Sequence, residues 1–143
     1  MPTQDLIAEA STTIDAPAAK IWEALVTPAS LKKFMFGSTI VSDFKKGSPI
    51  TWSGEWKGKP YQDKGEIIDA QPGKRLAYTH FSPLAGKPDR PENYHRVAIE
   101  LSPSGKGTAV RLTQDNNATE DERAHSAENW ANMLDGLKKL LEQ

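Results

Sequence analysis

The chain has 143 residues and a net charge of −1, a length that suits one domain and a charge balance that offers no field for nucleic acid or anionic membranes. It has no cysteine, which excludes disulfides, thiolate metal sites and a cysteine nucleophile. No apolar stretch reaches the roughly 20 residues that cross a bilayer and residues 1–10 lack the pattern of a secretory signal, so we expect a single cytoplasmic domain over residues 1–143.

The N-terminal part of the sequence predicts one strand followed by two short helices. Residues 6–14 end in β-branched side chains before a turn, which favours a strand. Pro17 suits the first position of a helix, and apolar residues then recur at helical spacing as far as Leu25. Pro28 ends that helix and can begin a second one through Phe34, so we expect two helices joined at an angle.

Residues 38–116 carry turn signals of glycine and proline at regular intervals, with alternating apolar and polar residues between them. Short turns pair consecutive strands as antiparallel neighbours, since parallel strands would need long crossovers. The alternation places one set of side chains on a dry face: Ile50, Trp52, Trp56, Leu76, Tyr78, His80, His95, Val97, Ile99, Leu101, Val110, Leu112 and Gln114. The proline-rich segment 82–92 is too long for a tight turn, and we expect it to pass over one end of the sheet as a gate.

A long amphipathic helix is predicted from Thr119 to Leu141. Thr119 and Glu122 have the spacing of a capping box, and acidic residues occupy the first turn, where the helix dipole favours them. The single apolar stripe of this helix needs an apolar partner, and the sheet is the apolar surface that the rest of the sequence offers. We therefore expect the helix to lie across the sheet, with a pocket between them.

The order of these elements and four motifs resemble the START-like, or SRPBCC, superfamily. Residues 14–25 are similar to its opening I-x-A-P-x-x-x-V-W-x-A-L, and residues 65–76 to its G-x-V-x-x-x-x-P-x-x-x-L strand pair. Residues 107–113 resemble its G-G-T-x-V-x-x-T segment. Residues 130–137 resemble the G-W-x-x-x-L-x-x-L helix of the branch named for activators of the heat-shock chaperone ATPase, although Asn129 stands where that branch usually has glycine.

The resemblance implies an α+β helix-grip fold like that of Bet v 1. In this fold a curved antiparallel sheet of about seven strands wraps around a long C-terminal helix, with two short helices after the first strand. It also implies a cavity between the sheet and the helix. Members commonly bind hydrophobic or amphipathic small molecules, so we expect such a ligand as the partner, with no cofactor, no nucleic acid and no membrane.

The candidate ligand-binding residues lie on the two facing surfaces: Trp52, Trp56, Tyr78, His80, His95 and Gln114 on the sheet, and Asn129, Trp130 and Met133 on the helix. The alternative is that the aromatic side chains are core, because each of them buries about 150–250 Å². An empty apolar cavity of roughly 300 Å³ would cost about 7 kcal/mol. Either the aromatic side chains fill the space or water and ligand occupy it.

His80 and His95 are the candidates for catalysis, because imidazole exchanges protons near neutral pH. They support a second hypothesis, an enzyme of the cyclase or dehydratase type, although no sequence motif firmly implies catalysis. The histidines lack metal-ligand spacing, so no metal is expected. A third hypothesis, from the resemblance alone, is an interaction module that activates a chaperone ATPase, and a homodimer is also considered.

Overall fold

The computed structural model describes residues 6–34, 39–56, 58–82, 88–117 and 119–142. Its elements, in chain order, are β1 (Leu6–Ile14), α1 (Ala18–Leu25), α2 (Pro28–Phe34), β2 (Thr39–Ser42), β3 (Pro49–Trp56), β4 (Lys59–Gln71), β5 (Arg75–His80), a short 3-10 helix (Pro91–Asn93), β6 (His95–Ser104), β7 (Gly107–Asn117) and α3 (Glu120–Leu141). The strands form one antiparallel sheet in the order β1-β7-β6-β5-β4-β3-β2. This confirms the predicted helix-grip fold, with two short helices after the first strand.

The strands pair as the alternating pattern requires, with the apolar side chains in rows on the inner face. Ala10, Leu112, Ile99 and Leu76 lie opposite one another on β1, β7, β6 and β5, and all four are buried. A shift of one residue in any of these pairings would turn an apolar set towards solvent, so burial fixes the register. The inner face of the sheet is therefore one wall of the core.

Helix α3 forms the opposite wall of the core and lies closest to β1. The side-chain oxygen of Thr119 accepts a hydrogen bond from the backbone N–H of Glu122 at 3.1 Å, which confirms the predicted N-cap. At the other end, Nζ of Lys138 donates to the backbone oxygen of Thr13 at 2.6 Å. The residues that this helix buries are Met133, Leu134 and Leu137. None of the described helices combines the length and the apolar character needed to cross a bilayer.

The outer face of the sheet carries a row of alternating charges that we call the charge ladder. It consists of Asp69, Arg75, Glu100, Arg111 and Glu9, on five neighbouring strands. The nitrogen–oxygen distances from Arg75 are 2.7 Å to Asp69 and 3.8 Å to Glu100. Those from Arg111 are 3.6 Å to Glu100 and 2.6 Å to Glu9. Opposite charges at cross-strand distance are mutually favourable, so the solvent-facing side of the sheet is polar where its inner side is apolar.

The described part of the segment after β5 lies against the outer face of the sheet. Phe81 and Tyr94 each adjoin an inward-facing histidine in sequence, so they face outward, and their rings stack with centroids 5.1 Å apart. The phenol of Tyr94 donates to Oδ1 of Asp89 at 2.6 Å, and Asp89 also pairs with Lys64. Residues 83–87 lie outside the described residues, and the predicted gate over the sheet falls partly on them.

Candidate functional site

The space between the inner face of the sheet and the helices is almost filled by side chains. A cavity of about 20 Å³ remains, lined by Leu25, Leu31, Ile40, Phe44, Ile50, Trp52, Leu76, Tyr78, Ile99 and Met133. That volume holds about one water molecule, whereas pockets for small molecules usually measure about 300–1,000 Å³. The sequence left open whether side chains fill the interior or water and ligand occupy it. Among the described residues, the side chains fill it.

Phe44 separates this cavity from a groove on the protein surface. Its side chain lines the cavity and also an open groove beside Trp22, Val26 and Pro72. Its φ angle is 53°, a left-handed conformation that costs a side-chain-bearing residue roughly 1–2 kcal/mol. Burial of the ring offsets that cost, since Phe44 is buried in the core. Phe44 is the residue that lines both the cavity and the surface groove.

Three rings of the sheet, those of Trp52, Tyr78 and His80, pack together beside the cavity. The centroid of Trp52 lies 5.3 Å from that of Tyr78 and 4.8 Å from that of His80, with the histidine ring edge-on. Burial raises the pKa of the Tyr78 phenol, because the charged form would lose its hydration. The phenol therefore stays neutral at physiological pH. Met133 of α3 reaches the same cavity from the helix side.

Asp63 and His80 form a hydrogen-bonded pair beyond these rings. Nε2 of His80 lies 2.9 Å from Oδ2 of Asp63, and because a carboxylate can only accept, the imidazole donates through this nitrogen. The other carboxylate oxygen, Oδ1, is buried and has no hydrogen-bond partner among the described residues. A buried oxygen of this kind costs roughly 1–3 kcal/mol. It is the place in the interior where a bound hydrogen-bond donor would gain most.

His95 brings a second imidazole to the same end of the sheet. Its Nδ1 donates to the backbone oxygen of Asp115 at 2.9 Å, which directs Nε2 towards Oε1 of Glu122, 4.0 Å away. The rings of His80 and His95 have centroids 6.3 Å apart. We call Asp63, His80, His95 and Glu122 the acid–base cluster. In the part of the chain that the structure describes, no three His, Cys, Asp or Glu residues converge as metal ligands.

A polar network next to this cluster joins α3 to the sheet. Nε1 of Trp130 donates to Oε1 of Gln114. Asn117 donates to the backbone oxygen of Leu6 at 2.8 Å and accepts from the hydroxyl of Ser126 at 3.2 Å. Gln114 and Asn117 are both buried, so these hydrogen bonds replace the water that the side chains lose. The network fixes the first half of the helix relative to β7 and β1.

The structure brings most of the predicted ligand-binding residues to this region of the interior: Trp52, Tyr78, His80, His95, Gln114, Trp130 and Met133. Asn129 is exposed on α3 and contributes nothing to the interior. One residue further along a helix corresponds to about 100° of rotation, and Trp130 takes the inward direction instead. The side chain of Trp56 lies outside the described residues.

Three residues of the site were missed by the sequence reasoning. Asp63, Gly65 and Ile67 are two residues apart along β4 and therefore share a face. This two-residue period would have placed Asp63 on the inner face of the sheet. Glu122 was explained by the helix cap alone. Its approach to His95 follows from the position of α3 over the sheet, which the sequence does not show. The left-handed backbone of Phe44 could not be predicted from the sequence, because phenylalanine rarely adopts a positive φ.

Comparison with known proteins places the chain among relatives of the same fold. A sequence model of the family described as Activator of Hsp90 ATPase homolog 1-like protein matches residues 15–142. A solution structure from Cytophaga hutchinsonii is 59% identical with a TM-score of 0.84, covering 95% of this chain and 93% of that chain. The Aha1 dimer from Colwellia psychrerythraea is 27% identical with a TM-score of 0.75, covering 95% and 96%. A Mesorhizobium loti protein, 22% identical with a TM-score of 0.76 and coverages of 95% and 96%, shares the fold. No curated protein sequence matches the chain.

Proposed function

Because the chain belongs to the family of Activator of Hsp90 ATPase homolog 1-like proteins, a branch of the superfamily with the helix-grip fold, we propose that it binds a small hydrophobic or amphipathic molecule between the sheet and α3. The apolar part of the ligand lies in the interior beside Trp52 and Met133. Its polar part lies at the acid–base cluster.

One observation carries this proposal, namely the change from apolar to polar side chains along the interior. The residues around the cavity are aliphatic or aromatic. Beyond Trp52 and Tyr78 come Asp63, His80 and His95, whose side chains keep 15–28% of their surface exposed. A ligand pocket typically combines an apolar lining with a few polar groups that fix orientation. This arrangement suits a molecule with one apolar and one polar end.

A ligand larger than water needs more room than the cavity offers, and Phe44 is the side chain best placed to provide it. Helix α3 lies closer to β1 and β7 than to β3, β4 or β5. The wider gap, between the helix and β3, β4 and β5, is filled by side chains. The strained backbone of Phe44 makes its buried position less favourable than that of an unstrained residue. A ligand that occupies the position of this ring would extend from the cavity into the surface groove.

Binding is tested with 1-naphthalenemethanol as the probe, by thermal shift and by tryptophan fluorescence. A ligand that binds only the folded state raises its stability by mass action, so the melting temperature of the wild-type protein should rise with probe concentration. Met133→Phe adds volume to the cavity lining and should weaken binding at least tenfold. Val41→Ala changes an exposed side chain on β2 and should leave binding unchanged. A probe that stabilises Phe44→Ala but not the wild-type protein would defeat the proposal.

Acid–base catalysis by His80 or His95 is a second candidate, favoured by the hydrogen bond from His80 to Asp63. A carboxylate that holds one imidazole nitrogen also stabilises the imidazolium that forms when the other nitrogen accepts a proton. A cyclase or dehydratase would use this pair on a bound substrate. If His80→Ala and His95→Ala leave the turnover of every bound ligand unchanged, the hypothesis is wrong.

Activation of a chaperone ATPase is a third candidate, and membership in the family of Activator of Hsp90 ATPase homolog 1-like proteins is the observation that favours it. Purified Hsp90-type chaperone should then hydrolyse ATP faster when an excess of the folded chain is added. The heat-unfolded chain is the control. An unchanged rate over a saturating range of concentrations excludes this activity.

A homodimer is the candidate assembly, because the relative from Colwellia psychrerythraea is described as a dimer. Val41 on the edge strand β2 is 63% exposed, and an edge strand with an exposed apolar side chain can pair with a second copy. Light scattering over a hundredfold range of concentration measures the mass. Val41→Lys should lower the dimer fraction, and a constant monomer mass in the wild-type protein rejects the assembly.

A further inference from the structure

We propose that the head group of the ligand is a protonated amine that donates a hydrogen bond to Oδ1 of Asp63. This inference rests on the proposed function, since it assigns the polar end of the same ligand. It begins from the one buried side-chain atom of the described residues that lacks a hydrogen-bond partner.

The carboxylate of Asp63 is already held in place on one side. Its Oδ2 accepts the imidazole N–H of His80 at 2.9 Å, which fixes the plane of the group and leaves Oδ1 to accept from a second donor. Only a donor can satisfy this oxygen, because a carboxylate has no hydrogen to give. A hydrogen bond between two oppositely charged groups is stronger than one between neutral groups, so an ammonium is the best partner.

The charges around the acid–base cluster favour a cation. The cluster contains the carboxyl groups of Asp63 and Glu122 and neither a lysine nor an arginine. The basic residues next to them in sequence are engaged elsewhere: Lys64 pairs with Asp89 on the outer face of the sheet, and Arg123 pairs with Glu120. A ligand carboxylate placed next to Oδ1 of Asp63 would meet a like charge whose side chain is 15% exposed, where repulsion is little screened.

The aromatic ring beside Asp63 also suits a cation. Trp52 on β3 is the cross-strand partner of Asp63 on β4, and both side chains belong to the inner face. An ammonium bonded to Oδ1 therefore lies next to an indole, the aromatic ring that attracts cations most strongly. The same ring contacts His80 at 4.8 Å between centroids, so head group, ring and imidazole form one end of the site.

Three probes with the same apolar ring test this assignment: 1-naphthylmethylamine, 1-naphthalenemethanol and 1-naphthoic acid. Titration calorimetry at pH 7 gives the dissociation constant of each for the wild-type protein. The amine should bind at least tenfold more tightly than the acid and more tightly than the alcohol. In Asp63→Asn an amide nitrogen takes the place of Oδ1 and donates instead of accepting, so the amine-to-acid preference should fall at least tenfold.

Asp135→Asn is the matched control, because Asp135 is an exposed carboxylate on α3 that pairs with Lys139. It should keep the wild-type preference. The inference is overturned if the acid or the alcohol binds the wild-type protein as tightly as the amine, or if Asp63→Asn keeps the preference for the amine. In those cases the interior site of the proposed function stands, whereas a lack of binding by all three probes removes both. The wild-type ratio decides the question even if the variant does not fold.

Discussion

Trp130 of α3 donates its indole N–H to the side-chain oxygen of Gln114 on β7, so the long helix is hydrogen-bonded to the sheet through two side chains. Gln114 is buried and lies on the inner face, opposite Val97 of β6. The contact joins α3, which closes the interior, to β7, the strand that lies between β1 and β6 in the sheet. It acts together with the contacts of Ser126 with Asn117 and of Lys138 with Thr13, which also join the helix to the sheet.

Gln114→Leu should destabilise the protein by about 1–3 kcal/mol, because it leaves the N–H of Trp130 without its acceptor in a partly buried place. Urea unfolding followed by circular dichroism gives the free energy. Trp130→Phe removes the donor, and the double variant should lose less than the sum of the two single losses. Strict additivity would show that the two side chains do not interact.

Gly65→Ala should be far more destabilising than Gly54→Ala. A Cβ at Gly65 would lie 1.8 Å from the backbone oxygen of Thr79, whereas one at Gly54 would meet the movable phenol of Tyr61 at 2.9 Å. Only the first clash requires two strands to separate, so we expect a loss of about 3 kcal/mol or more for Gly65 and less than half of that for Gly54. Urea unfolding measures both, and equal losses would contradict the close approach of β4 to β5.

Phe44→Gly should be more stable than Phe44→Ala, the reverse of the usual order. Both variants lose the buried ring, but only glycine adopts a φ of 53° without steric cost. We expect a difference of about 1 kcal/mol in the free energy of unfolding. The same pair of substitutions at Val41 in a strand provides the control, where alanine should be the more stable. If alanine is also better at position 44, the backbone there is not left-handed.

The buried phenol of Tyr78 should make the protein lose stability in alkali. Because burial raises the pKa of Tyr78 in the folded state, its contribution is fully present below the unfolded pKa of about 10 and is lost as pH rises further. Tyr78→Phe should therefore show a flatter decline of melting temperature between pH 9 and 12. An alkaline decline that is as steep in Tyr78→Phe as in the wild-type protein would contradict the prediction.

The charge ladder should lose its contribution in acid. The hydrogen bond from Arg111 holds the pKa of Glu9 below its usual value, and the hydrogen bonds from Gln71 and Arg75 do the same for Asp69. Their contributions are present above the unfolded pKa of about 4 and are lost as pH falls through the lowered folded values.

Arg111→Gln tests this effect, because it removes the partner of both Glu9 and Glu100. The variant should show a smaller drop in melting temperature between pH 5 and 2.5, and 1 M salt should shrink the wild-type drop in the same way. Lys139→Gln changes an exposed pair on α3 and is the control. An identical acid profile for wild type and Arg111→Gln would mean that the ladder contributes nothing to stability.

Much of the fold follows from local signals in the sequence. Pro28 separates two helices, Thr119 caps a third, and the alternation of apolar and polar residues within the strands sets the inner face of the sheet. The helix after Pro17 begins at Ala18, with Pro17 itself at the N-cap, a difference of one residue. These signals are short-range, so a single sequence displays them.

The candidate site depends on relations that no local pattern contains. The approach of His95 to Glu122 requires the position of α3 over the sheet, and the pairing of Asp63 with His80 requires the register of β4 against β5. The size of the interior is set by how completely side chains such as Trp52 fill it. The sequence predicted which surfaces of the sheet and helix face each other, but it could not show that they close on a cavity of about 20 Å³.

The pairing of β1 with β7 also determines when the chain can fold during synthesis. Thr12 lies opposite Val110, so β1 leaves the ribosome and waits for a partner roughly a hundred residues downstream. At about 5–20 residues per second this wait lasts roughly 5–20 s. Until then the β6 edge of the growing sheet, which β7 later covers, is open to other nascent chains. Release of the last strand and helix therefore decides between a completed sheet and aggregation.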